Sequence, residues 1–387
     1  MRKTPLLMLA VLAAVATACS SGGSDDATPS RAAAPESTTG TSTRATTSAK
    51  PDCTSGYLAQ FSTRQKLAQL LTVGVTGEAD AANVVRTEQV GGIFVGGWTD
   101  LALLSSGQLD QVKQAAKVPL MVTIDEEGGR VSRVKSLIGA APSARETAQT
   151  MTAEQFHDAT LTRGRALKDL GVTVNFAPDV DVSAQPDDSV IGDRSFSDDP
   201  AVVTRYADAY IRAMREVGVG TVLKHFPGHG SGSGDSHRGA VRTPPLESMQ
   251  NVDLVPFRGL VDSGAGVMVG HLDVPGLTTP DVPASISPQA MALLREGSGY
   301  GAAPFKGPIF TDDLGGMAAI TNRLSIADAV EAALVAGADN ALWISTDAVP
   351  SVLDQLEQAV AAGRLPAARV DASVLRMAAF KGALPHC

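Results

Sequence analysis

The sequence predicts a (β/α)8 barrel with a single catalytic domain. Three observations predict it. Eight short apolar runs recur along the chain, segments with helical periodicity lie between several of them, and charged residues or histidines stand at the ends of five. The runs are 71–75, 92–95, 120–124, 172–176, 221–223, 266–269, 308–310 and 341–344. Nearly continuous apolar strands suit a parallel sheet covered on both faces.

The intervening helices are read from the 3.6-residue period. Between Ala201 and Val217 the apolar positions are Val202, Val203, Tyr206, Tyr210, Ile211 and Met214. Ser325–Ala336 and Gln355–Ala362 follow the same pattern. Alternating strands and helices imply an α/β fold, and eight units favour a closed barrel over an open sheet. No G-x-G-x-x-G fingerprint follows the first strand, which weighs against a dinucleotide-binding sheet.

The ends of the strands carry the chemistry. Asp125 follows the third, Asp179 and Asp181 the fourth, Lys224 and His225 the fifth, His271 and Asp273 the sixth, Asp312 and Asp313 the seventh. One polar residue after a strand is often a helix cap. Five successive strands ending this way point to the carboxyl-end active site of a barrel.

The segment Lys224–Gly239 is the densest in titratable groups. It holds three of the six histidines, and five glycines follow Pro227. That composition predicts a flexible loop rather than a helix or buried strand. Asp235 and His237 are spaced i, i+2, so an extended backbone points both the same way. A carboxylate beside an imidazole fixes its tautomer and raises its basicity. His225, His229, Asp235 and His237 could instead ligate a metal. The Phe226-Pro227-Gly228 break between the first two prevents the helical alignment of H-E-x-x-H, which ranks a metal site below the acid/base reading; the expected machinery has no metal and no cofactor. Asp312 and Asp313 close the seventh strand, and alternation lets only one face the barrel mouth. A carboxylate there could capture an anomeric carbon. Spacing does not say which.

The ends of the chain predict export. Arg2 and Lys3 precede an apolar run, Leu6–Ala16, too short to span a bilayer, with small residues before Cys19. Residues 1–18 thus read as a signal peptide, and Cys19 resembles the lipidated cysteine of bacterial lipoproteins. Between Ser20 and Asp52 there is no Val, Ile, Leu, Met or aromatic residue, so 19–52 reads as a disordered tether. The catalytic domain is then 53–387. Cys53 and Cys387 stand at its two ends and could pair in an oxidising compartment. The expected location is the cell envelope, on the outer face of the cytoplasmic membrane, or the medium if Cys19 carries no lipid. A net charge of -9 without a basic run argues against nucleic acid. Aromatic content of 4% argues against extensive sugar-stacking platforms; Trp98 and Trp343 fit a core equally well.

Four motifs, in order, identify a resemblance. They are Ile124-Asp125-Glu126-Glu127-Gly128-Gly129-Arg130-Val131, Val190-Ile191-Gly192-Asp193-Arg194-Ser195-Phe196, Lys224-His225-Phe226-Pro227-Gly228-His229-Gly230 with Asp235-Ser236-His237, and Ile309-Phe310-Thr311-Asp312-Asp313-Leu314. Together they resemble glycoside hydrolase family 3, and most nearly its β-N-acetylglucosaminidases of the NagZ type. The resemblance implies a barrel without a mandatory second domain. It implies Asp312 as nucleophile, His237 as general acid/base and Asp235 as its partner. It implies that Asp125, Arg133, Arg194, Lys224 and His225 hold the terminal sugar. Glu126 departs from the glutamine common in relatives.

The expected activity is retaining, exo-acting removal of terminal N-acetylglucosamine from muropeptides by a monomer. A β-glucosidase, an N-acetylglucosaminide phosphorylase and a non-catalytic sugar-binding lipoprotein are the alternatives on the same residues.

Overall fold

The computed structural model describes residues 53–384. The signal, lipid and tether readings of 1–52 lie outside them, as does the pairing of Cys53 with Cys387.

Each apolar run forms a strand: β1 (Leu71–Val75), β2 (Gly92–Val95), β3 (Met121–Ile124), β4 (Val174–Asn175), β5 (Gly220–Phe226), β6 (Gly266–Val269), β7 (Ile309–Thr311) and β8 (Ala341–Trp343). They pair in parallel in the order β8-β1-β2-β3-β4-β5-β6-β7. The ring is closed by the Thr311 N–H, which donates to the Asn340 carbonyl at 3.0 Å, and by a parallel bridge between Phe310 and Asn340. The strands are buried almost throughout because helices cover their outer face and side chains fill the lumen.

A helix follows each strand: α1 (Glu78–Glu88), α2 (Gln108–Gln114), α3 (Ala153–Asp169), α4 (Pro200–Val217), α5 (Leu254–Gly259), α6 (Pro288–Glu296), α7 (Ile326–Ala336) and α8 (Val349–Ala361). α4 has the boundary signals its sequence promises. Asp199 accepts from the Ala201 N–H, Pro200 opens the first turn, and Gly218 ends the helix at φ 77°. Ser325 proves to be the cap of α7, and α8 begins six residues before its predicted start at Gln355.

A last helix, α9 (Ala367–Phe380), lies at the foot of the barrel. Its Phe380 meets Phe310 at 5.9 Å. Phe310 meets Phe176, and Phe176 meets Phe94, at 5.6 and 5.9 Å. This column of rings fills the lumen from α9 up to the floor of the mouth. Burying each such ring contributes roughly 1.5–3 kcal/mol.

Two strand predictions change in extent by more than one residue. β4 keeps only Val174 and Asn175 in the ladder. β5 runs past Leu223 to Phe226, so Lys224 and His225 lie inside a buried strand rather than in a loop after it. The apolar pattern missed this because functional polar residues interrupt it.

Candidate active site

Asp312 is placed by β7. Its N–H donates to the Val269 carbonyl at 3.1 Å, continuing the ladder, so its carboxylate stands at the carboxyl mouth of the barrel. The residue is 8% exposed. Burial alone would raise its pKa, but the His225 and His271 imidazoles, the Asp313 N–H and Lys224 outweigh it and hold the carboxyl below its usual range. Asp313 differs. Its Oδ1 accepts from the Gly315 N–H at 2.7 Å, yet burial and the neighbouring Asp312 push it up to about 6. Asp312 therefore keeps its negative charge to lower pH than Asp313 does. His271 supports this turn, with Nδ1 2.7 Å from Ser285 Oγ and Nε2 2.8 Å from the Asp313 carbonyl.

A buried ionic cage stands beside it. Lys224 Nζ reaches Asp125 Oδ1 at 2.8 Å and Glu127 Oε1 at 2.5 Å. Arg194 grips Glu127 with two bonds, 2.8 and 2.9 Å, and lies 3.4 Å from Asp179. Burial disfavours the Lys224 ammonium, but Asp125 and Glu127 keep its pKa above the usual value. Burial likewise works against the Glu127 carboxylate, and Arg194 and Lys224 overcome it. Arg133 approaches Asp125 at 3.6 Å. Deleting one partner of such a buried set strands the other charge, at a cost of about 3–5 kcal/mol.

His225 is oriented from below. Its Nδ1 lies 2.7 Å from Asp181 Oδ2, and Asp181 Oδ1 accepts from the His229 N–H at 2.6 Å. Burial is again overcome, so Asp181 falls to about 2 while His225 rises. Asp179 is pushed well up by burial and by Asp181.

The remaining pair comes from the glycine-rich loop. His237 Nδ1 lies 2.9 Å from Asp235 Oδ1, and the His237 N–H donates to the same oxygen at 3.0 Å. That leaves Nε2 free for proton transfer. The His237 side chain is 61% exposed. Asp125, Arg133, Arg194, Lys224, His225, His237 and Asp312 line one cleft of about 1000 Å³. Asp235 stands behind His237. A strand-borne carboxylate and a loop-borne imidazole thus share one sugar-sized opening.

Residues 62–380 match the Glycosyl hydrolase family 3 N terminal domain. The chain belongs to glycoside hydrolase family 3. It is 54% identical to the beta-hexosaminidase LpqI of Mycobacterium tuberculosis, over 99% of this chain and 98% of that one. It is 34% identical to a beta-hexosaminidase of Xanthomonas oryzae pv. oryzae, over 74% of this chain and 87% of that one. The solved structure of M. tuberculosis LpqI superposes with a TM-score of 0.84 at 56% identity, covering 86% of this chain and 98% of that one. A family 3 β-N-acetylglucosaminidase from Paenibacillus gives 0.77 at 31% identity, covering 84% and 62%. The protein is a glycoside hydrolase.

Within this family 3 barrel the glycine-rich loop is not uniformly loose. Its first half is packed: a side chain at Gly230 would stand 2.0 Å from the Val182 carbonyl. Ser233 bonds back to Arg242, whose segment pairs with Leu272–Asp273. From Ser231 to Ala240 the loop is mostly exposed, His237 included. The four-residue metal set from the sequence is not united, since Asp235 pairs with His237 and His225 with Asp181. Asp179, Asp181 and His225 do place one ligand atom each within 4.8 Å of one another. Asp181 already occupies His225 Nδ1, however, and the Arg194 cation lies against Asp179. The trio works as a hydrogen-bond network.

Three contributors escaped the sequence reading. Glu127 is the hub of the cage, and it looked like one of two adjacent acids. Glu126 is fully buried and accepts from Ser132 Oγ, the Arg133 and Val134 N–H groups and Arg163, so it shapes the turn that presents Arg133. Trp98 is 45% exposed and lines the cleft, whereas Trp343 is core. A side chain at Gly96 would meet the indole ring at 2.3 Å, so bare backbone lets the ring lie flat. The Gly96-Gly97-Trp98 run was the available signal.

Proposed function

We propose that the protein is a retaining exo-β-N-acetylglucosaminidase that removes terminal N-acetylglucosamine from peptidoglycan fragments. The observation that carries this reading is the meeting of Asp312 and His237 in one cleft, with Asp312 the depressed carboxylate. The hexosaminidase names of its relatives support the sugar class.

In the first step an Asp312 oxygen attacks C1 of the terminal sugar. The C1–O bond to the leaving group breaks, and His237 Nε2 gives its proton to the departing oxygen. Asp235 stabilises the imidazolium and its orientation. In the second step His237 takes a proton from water, the hydroxide oxygen bonds C1, and Asp312 leaves as carboxylate. Asp125, Lys224, Arg194, Arg133 and His225 hold the sugar's hydroxyls and acetamido group. These preformed charges exchange partners for the sugar rather than reorganising.

With Cys19 lipidated, the enzyme stands outside the cytoplasmic membrane and meets wall-derived fragments. The cleft's cations favour one further reading, phosphorolysis, because a neutral imidazole and Lys224 do not repel phosphate.

The test is cleavage of a chromogenic N-acetylglucosaminide and of a defined N-acetylglucosaminyl-anhydromuramyl substrate, with the product's anomeric form read by NMR. Turnover is expected with retention, and Asp312→Ala is expected to abolish it. Activity surviving in Asp312→Ala rejects the nucleophile. Sugar 1-phosphate formed only when phosphate is present selects phosphorolysis.

A further inference from the structure

We propose that the foot of the barrel, at the face opposite the cleft, carries a site for a small oxyanion of the phosphate or phosphomonoester class. Arg295 near the end of α6 and Arg369 and Arg376 of α9 line a cavity of about 600 Å³ there. Asp339 is the one buried carboxylate among them. It takes Arg295 at 2.5 Å and Arg376 at 2.8 Å, and it also accepts from Ser373 Oγ and the Ile309 N–H. Its acceptor capacity is spent. Glu296, at the exposed rim, forms no ion pair within 4.0 Å among the described residues.

Arg369 is left over. Its guanidinium makes no hydrogen bond or ion pair among the described residues, although the residue is only partly exposed. It stands in the first turn of α9, the end where a helix dipole disfavours a cation. Burial works against its charge, the Asp339 carboxylate offsets part of that from a distance, and the neighbouring Arg376 opposes it again. An arginine used only for structure would bond a carboxylate or a helix-end carbonyl. Arg295 does the equivalent with the Phe305 and Gly307 carbonyls, both at 2.8 Å. Arg369 and Arg376 instead line the cavity with guanidinium donors that have no partner among the described residues beyond the Arg376–Asp339 bond. That is the geometry in which guanidinium groups bind phosphate oxygens. The ligand would bridge α9 to α6 and pin the helix that plugs the lumen.

The experiment is a melting-temperature titration of the full chain with inorganic phosphate, and separately with glucosamine 6-phosphate. Sodium chloride matches ionic strength, and N-acetylglucosamine fills the upper cleft. A saturable rise beyond the chloride control is expected. Arg369→Gln is expected to weaken it about tenfold or more, Arg369→Lys less, with glycosidase activity unchanged in both. The phosphate that acts at lower concentration identifies the source, free anion or ester. No saturable rise in the wild type, or an equal rise in Arg369→Gln, overturns the proposal.

Discussion

The N–H of Ala319 donates to the carbonyl of Ser236 at 3.1 Å. Ser236 lies between Asp235 and His237, and Ala319 is seven residues beyond Asp312. One main-chain bond therefore ties the His237 loop to the segment that follows Asp312.

Removing that donor tests the tie. Ala319 is in the first turn of a short helix, Ala318–Thr321, where proline is tolerated. In Ala319→Pro, kcat is expected to fall about tenfold, the value of one net hydrogen bond realised in positioning. Product binding and melting temperature should stay near wild type. An unchanged kcat would show that the loop holds His237 without this bond.

Trp98 lines the cleft and is half-exposed. A sugar ring on the leaving-group side would stack on its exposed face. Trp98→Ala is expected to raise KM for a disaccharide by about tenfold, the value of one aromatic contact, and to leave small aryl substrates little affected. Equal losses on both substrates would place the indole against the terminal sugar instead.

Glu126 tests the difference between shaping and touching. Its carboxylate bonds Arg163 and the turn bearing Arg133. Glu126→Gln keeps the size but leaves Arg163 without its counter-charge. A stability loss on the order of 2–3 kcal/mol is expected by chemical denaturation, with KM rising more than kcat falls. A drop in kcat alone, without loss of stability, would contradict the structural role.

Asp313 gives a pH signature. Its folded pKa is about 6, above the ordinary carboxylate value. Between these two pH values the folded state binds more protons than the unfolded one, so raising pH across that window removes stability. Asp313→Asn cannot ionise. It is expected to flatten this part of the stability curve and to be on the order of 1–2 kcal/mol more stable than wild type above pH 6. Asp181 acts with the opposite sign: its folded pKa of about 2 stabilises above the ordinary carboxylate value, and this is lost as pH falls toward 2. Melting temperature from pH 3 to 8 separates the two.

The barrel was legible because strands buried on both faces must be apolar throughout, and such runs survive in the sequence whatever the loops do. The Asp235–His237 pair was legible because i, i+2 spacing is local. The cage was not. Glu127, Arg194 and Lys224 are brought together only by tertiary folding, and no spacing announces their convergence. The glycines of the Lys224–Gly239 segment were misread as simple looseness. Gly230 is glycine because another backbone presses on it, and Gly228, at φ 137°, because of its left-handed conformation. Asp312 and Asp313 were indistinguishable by alternation, and only their surroundings separate their protonation.

His237 projects from a solvent-facing loop, whereas Asp312 is fastened to a barrel strand. The proposed proton carrier can therefore be lengthened, shortened or re-aimed by changes confined to one surface segment. The half proposed to grip the terminal sugar need not be rebuilt. Divergence within this architecture should accumulate in the residues flanking Asp235 and His237, giving enzymes that accept different leaving groups from an unaltered floor.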